Sequence, residues 1–237
     1  MSKIRRITLT PLLLCSLFAC NPPVEEGSMQ PYDGYPRLTS KEEAKKTLED
    51  RGVGNIEFRK GETIADIGAG NGYIEAMLSI FHDSLTFYIQ DIDTSVCNQK
   101  AVDEVVGFYQ EVNGKPFTNT FIAVNGTDTE TNLPDSTFDK ILMIRTYLYL
   151  KEPRTFILEV RENLKNDGLF YVINPLQTDW DREYANTLRQ KYGWNMSPLE
   201  KEISDIIDCG FELKHITRKY EGYEDPFTMV FAKSVTD

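Results

Sequence analysis

Three glycines at alternate positions, Gly68, Gly70 and Gly72, sit in "IADIGAGNGYIE" (Ile64 to Glu75), with Asp66 two residues ahead of the first. Glycines this dense let a backbone approach a ligand with no Cβ in the way and tolerate dihedrals that other residues avoid. The loop is not a phosphate loop of the Lys-Ser or Lys-Thr type, because neither pair follows it. It also departs from the dinucleotide pattern G-x-G-x-x-G, since Tyr73 stands where the third glycine belongs. Asp91 follows about twenty residues further on, where an acid in an open α/β sheet accepts hydrogen bonds from two ribose hydroxyls. That pairing implies an adenosine-like ligand, a property common to several cofactors. Asp66 narrows the choice, because a carboxylate so close to Gly68 repels a pyrophosphate but suits a ligand that carries an ammonium and a sulfonium. Asp66 is also suited to capping the loop's own backbone amides, and that alternative stands beside the ligand reading.

Residues so placed need a sheet to hold them. Short runs rich in β-branched, aromatic or other large apolar residues predict strands at Thr63 to Ile67, Thr86 to Gln90, Phe121 to Val124, Lys140 to Ile144 and Leu169 to Ile173. Helical patterns fall between them at Tyr73 to Ile80, Thr94 to Glu111 and Arg154 to Leu164. Thr39 and Ser40, followed by Glu42 and Glu43, have capping-box spacing for an earlier helix that runs to about Asp50. The alternation predicts an α/β fold, a doubly wound, mostly parallel, seven-stranded sheet of Rossmann-like type. After the fifth strand come two helical patterns, Gln177 to Tyr192 and Ser197 to about Asp208. The segments Phe211 to Tyr220 and Pro226 to Lys233, separated by "EGYED", then read as an antiparallel hairpin that closes the sheet.

In such a sheet the loop after strand one and the tips of strands two to four converge. Here the stretch from about Glu62 to Pro175 resembles the class I S-adenosylmethionine-dependent methyltransferases. "IADIGAGNG" is similar to their first motif, "YIQDID" to their second, and "LPDSTFDKILM" to the segment leading into their fourth strand. The resemblance implies S-adenosylmethionine as the cofactor: Gly68, Gly70 and Gly72 would cradle its methionine part, Asp91 its ribose, and Asp128 in "GTDTETNLP" the adenine amino group. Asp128 also reads as an ordinary turn residue.

The acceptor site is expected at the loop after strand four, "RTYLYLKEP" (Arg145 to Pro153). Relatives with a similar "LPDSTFD" segment often read T-Y-H-H there, whereas this chain has Thr146 and Tyr147 followed by Leu148 and Tyr149. The loss of both imidazoles removes the usual proton acceptor near neutral pH. Arg145 and Tyr149 are therefore the candidate catalytic residues, Arg145 to hold an acidic group and Tyr149 to orient a nucleophile, although the tyrosines here also suit plain packing. The chain's two histidines, His82 and His215, are expected at the surface after the first helix of the sheet and in a terminal strand.

The chain is 237 residues long, with 37 Asp+Glu against 26 Lys+Arg and a net charge of -11. A surface that acidic repels a phosphate backbone, so nucleic acid is not an expected partner; a small-molecule acceptor is. The N-terminus reads separately. Lys3, Arg5 and Arg6 precede an apolar run from Ile7 to Phe18, too short to span a bilayer, and "LFAC" ends at Cys20. This resembles a bacterial lipoprotein signal, which implies cleavage after residue 19, a lipid on Cys20, and a tether over residues 20–36 ahead of a domain over residues 37–237. The expected location is the cell envelope, at a membrane. Cys97, expected in a helix, and Cys209 are expected as two buried thiols. Three readings follow: a membrane-tethered methyltransferase, an exported binding module that keeps the fold without the reaction, and a nicotinamide-dependent oxidoreductase. Asp66 and the missing third glycine weigh against the last.

Overall fold

The computed structural model of the chain describes residues 34–175, 190, 199–218 and 226–234. Helix α1 (Lys41–Asp50) starts as its sequence dictates: Ser40 Oγ accepts the Glu43 amide, and Glu43 Oε2 reaches back to the Thr39 amide at 2.8 Å. Then strands and helices alternate: β1 (Thr63–Ile67), α2 (Tyr73–Leu78), β2 (Thr86–Asp91), α3 (Gln99–Asn113), β3 (Thr120–Asn125), β4 (Phe138–Ile144), α4 (Pro153–Asn163) and β5 (Leu164–Pro175). Helix α5 (Leu199–Asp208), β6 (Phe211–Arg218) and β7 (Pro226–Lys233) complete the described elements.

The seven strands lie in the order β3-β2-β1-β4-β5-β7-β6. Pairing is parallel from β3 through β5, and β7 runs antiparallel to both β5 and β6. The expected doubly wound sheet with a terminal hairpin is thus the observed fold. Winding reverses between β1 and β4, which puts the β1 loop and the β4 tip side by side. Apolar clusters fill both faces. Ile64, Phe87, Ile89 and Val105 pack toward α1, α2 and α3, while Ala65, Ile141, Phe170 and Ile206 pack toward α4 and α5. Successive strand residues point to opposite faces, so Asp66 shares the face of Ile64 and is aimed at α2.

Several boundaries differ from the sequence expectations. Helix α3 begins at Gln99, not Thr94, because the Asp93 carboxylate caps a separate turn through the Ser95 amide, and Asn98 Oδ1 caps α3 by accepting from the Ala101 amide. Cys97 therefore precedes that helix instead of lying within it. It is a free, buried thiol, as is Cys209. Packing also reaches further back than residue 37: Tyr35 meets Phe108 edge-on at 5.4 Å, and the Tyr109 hydroxyl donates to the Pro36 carbonyl at 2.8 Å. The expected signal segment with Cys20, the helix from Gln177 to Tyr192 (but for Gln190) and the "EGYED" turn lie outside the described residues.

Candidate functional site

The β1 loop turns at once after the strand. Gly68 and Ala69 both donate their amides to the Gln90 carbonyl, at 2.8 and 3.0 Å, which fastens the loop to the end of β2. Gly68 has φ +75°, and a Cβ there would lie 2.3 Å from Thr146 Oγ1, so the first glycine is where the loop meets the residues after β4. Gly70 has φ +59° and open space where its Cβ would be: the second glycine faces the ligand side. Gly72, at φ +76°, precedes α2 and lies against Ile89. The amide of Gly70 donates to Asp91 Oδ2 at 2.9 Å, and the other Asp91 oxygen accepts the Asp93 amide at 3.0 Å. Each oxygen keeps a further lone pair for a ligand hydroxyl.

Loop and strand tips enclose a cleft of about 540 Å³, within the range of small-molecule sites. Gly68, Gly70 and Asp91 line it from one side, and Arg145, Thr146 and Tyr149 from the other. The sequence-predicted donor and acceptor residues thus meet in one cavity. Asp128 lines it as well, but as a half-exposed side chain whose Oδ2 accepts from Lys151 Nζ at 2.5 Å. The turn at this position is made by its neighbour: Thr127 Oγ1 accepts the amides of Thr129 and Glu130.

Asp66 occupies a different position from the other acids. It is 2% exposed and sits behind the cleft wall formed by Ile67 and Gly68. Burial, then the Glu75 carboxyl opposite it on α2, then Asp91, hold its carboxyl well above the usual carboxylate range. Glu75 is completely buried and is raised as well, chiefly by burial. Sequence reasoning passed over this residue. Its signal was an acid inside "YIEAML", a six-residue helix that is otherwise apolar and wholly buried. Arg51, at the end of α1, also lines the cleft, and no local pattern in the sequence marks it.

Arg145 is a non-glycine residue at φ +58°, directly after β4, with its amide bonded to the Ile173 carbonyl. A left-handed conformation of this kind costs on the order of 1–3 kcal/mol and is characteristic of residues held for function. Burial raises the Tyr149 hydroxyl above its ordinary range, against the opposing influence of Arg145, so Tyr149 is a hydrogen-bond donor and not a base near neutral pH. Burial, followed by the Asp91 charge, pushes the Cys97 thiol up to about 11, which makes it unreactive. Neither histidine lines the cleft. His82 is half-buried against Phe58, at 5.1 Å between rings, more enclosed than the expected surface position. His215 is exposed on β6 and lines a separate cavity of about 350 Å³ with Tyr171 and Glu49.

A glycine loop bonded to the β2 acid lies at the switch point of a Rossmann-like sheet, the place where ligands of open α/β sheets sit. Residues 65–172 match the family model of the methyltransferase domain. Over that stretch the chain is similar to this family, and the glycine loop and Asp91 fit S-adenosylmethionine, the cofactor the resemblance implies. Among solved structures the fold is similar to a methyltransferase from Methanosarcina mazei, with TM-score 0.57 and 17% identity over 76% of this chain and 95% of that one. It is similar also to one from Aquifex aeolicus, with TM-score 0.56 and 19% identity over 82% and 98%. The mitomycin 7-O-methyltransferase gives TM-score 0.62 and 14% identity over 79% of this chain and 53% of its own. Among curated proteins, none matches the sequence.

Proposed function

We propose that the protein transfers a methyl group from S-adenosylmethionine to a small-molecule acceptor seated between Arg145 and Tyr149. One observation carries this: a single cleft holds both the Gly68–Gly72 loop with Asp91 and the strained tip of β4. The charges agree with a cationic donor. Asp66, Glu75 and Asp91 gather at the loop, and among the described residues burial and acidic neighbours are what raise Asp66. When bound, S-adenosylmethionine supplies an electrophilic methyl group on a sulfonium.

The protein's own contribution is alignment, which is worth up to about 7–11 kcal/mol when reacting atoms are held in line. In this reading Gly70 leaves room for the methionine part, Asp91 fixes the ribose, and Asp128 takes the adenine amino group at the Lys151 edge. Arg145 pairs with an acidic group of the acceptor, and Tyr149 donates a hydrogen bond that orients its nucleophile. That nucleophile must arrive already ionised or otherwise reactive, because no histidine lines the cleft to take its proton.

The same absence favours a second reading, a binding module that holds the donor without transfer. A labelled-methyl transfer screen over metabolite and membrane extracts, with protein lacking residues 1–20, separates the two. Transfer to any acceptor establishes the enzyme; donor binding without transfer to any extract establishes the module. We further propose that Cys20 carries lipid and holds the domain at a membrane of the cell envelope. The charged and then apolar segment ending in "LFAC" supports this.

A further inference from the structure

Asp66 and Glu75 lie face to face behind the glycine loop, one at the end of β1 and the other in the first turn of α2. Asp66 Oδ1 and both Glu75 oxygens are buried without a hydrogen-bond donor. As two carboxylates they cannot satisfy one another, since neither has a hydrogen to give. With one proton between them they form an acid–carboxylate hydrogen bond, which satisfies one oxygen on each residue and removes the like-charge contact. Among the described residues relief is weak: the Ile67 amide toward Asp66 and Glu75's own amide favour ionisation less than burial opposes it. Asp91 adds negative charge from β2, and the Cys97 thiol ahead of α3 donates to the Ile89 carbonyl. Arg51 and Arg145 line the cleft on its open side.

We propose that Asp66 and Glu75 share one proton in the ligand-free protein and that a cationic donor in the cleft expels it, so that Glu75 is a positioning residue setting the pH range of donor binding. A positive charge on the cleft side of Ile67 and Gly68 favours the doubly ionised pair, and the pair in turn favours the cation. The inference rests on reading the cleft as the S-adenosylmethionine site.

The test is calorimetric titration of the soluble domain with S-adenosylmethionine in buffers of different ionisation enthalpy, from pH 5.5 to 8.5. Wild type is expected to release up to one proton to the buffer, with affinity rising by as much as about tenfold per pH unit where release is complete. Glu75→Gln, whose amide donates to Asp66 permanently, is expected to bind with no proton release and a flat pH profile. A measurement on wild type alone does not depend on that variant folding: the infrared band of a protonated carboxylic acid should disappear when donor is added. Binding without proton release, or an acid band that persists on binding, overturns the inference and leaves the functional reading intact. Absence of binding by wild type overturns both.

Discussion

Asp91 Oδ2 accepts the Gly70 amide at 2.9 Å, so the acid at the end of β2 and the middle glycine of the β1 loop form one unit. Removal of the carboxylate therefore releases the loop and, on the proposed function, deletes the ribose contact as well. Asp91→Ala should weaken S-adenosylmethionine binding by about 1–3 kcal/mol, the range for hydrogen bonds to a charged group. Asp91→Asn, which keeps one acceptor oxygen, should fall between. Calorimetry on the three proteins checks the order; equal affinities would remove Asp91 from the site.

The glycines should separate by role. Gly70→Ala has open space for its methyl group, so its stability should drop by only about 1–2 kcal/mol, for the left-handed backbone, while donor affinity collapses because the methyl group enters the cleft. Gly68→Ala meets Thr146 and should cost about 3 kcal/mol of stability from backbone strain and overpacking together. Urea unfolding set beside donor titration decides this, and a Gly70→Ala variant that binds normally would contradict the assigned orientation.

For the acceptor side, Arg145→Ala and Tyr149→Phe should lower transfer to an identified substrate while leaving donor affinity nearly unchanged. Arg145→Gly offers a control: it loses the same side chain, but its left-handed φ suits glycine, so it should be about 1 kcal/mol more stable than Arg145→Ala and equally impaired. Full transfer by all three variants would place the acceptor elsewhere.

A pH effect is expected away from the cleft. Burial raises the Glu202 carboxyl to about 8 from an ordinary 4.5, despite the Asn174 amide that donates to it at 2.9 Å. The folded protein then holds a proton that the unfolded chain has released, so stability falls as pH rises between about 4.5 and 8 and levels off above. Glu202→Gln keeps an acceptor for Asn174 and should melt higher than wild type at pH 8.5, with little difference at pH 4.5. A melting difference that did not vary with pH would show that Glu202 is ionised when folded.

For the anchor, mass spectrometry of membrane-extracted protein should find Cys20 as the lipidated N-terminus, and Cys20→Ser should free the domain from membranes. An intact segment from Met1 to Cys20 would end that proposal.

Strand positions were legible because each is a short apolar run bounded by loop residues, and β1 and β7 were placed to the residue. That Gly68, Gly70 and Asp91 share one cleft was legible because glycine spacing and the following acid are local patterns. What failed to show was non-local or competed with a stronger local signal. The start of α3 was hidden because Asp93 and Asn98 are both good caps five residues apart, and only packing decides between them. Arg51 reaches the cleft from a helix well before the loop it serves. Glu75 was hidden by its neighbours, since a helix buried on every side has no polar face from which an acid would stand out.

The Asn71 side chain donates to the Gly34 carbonyl at 3.2 Å, and Asn71 is the residue between Gly70 and Gly72. The first described residue thus lies against the glycine loop itself. Fourteen residue steps separate that point from Cys20, and at roughly 3.4 Å per residue they allow a span of at most ~48 Å. Gly34 itself is one hydrogen bond from the loop. A lipid at Cys20 would therefore set both the height of the cleft above the bilayer and the mechanical tension felt by its ligand cradle.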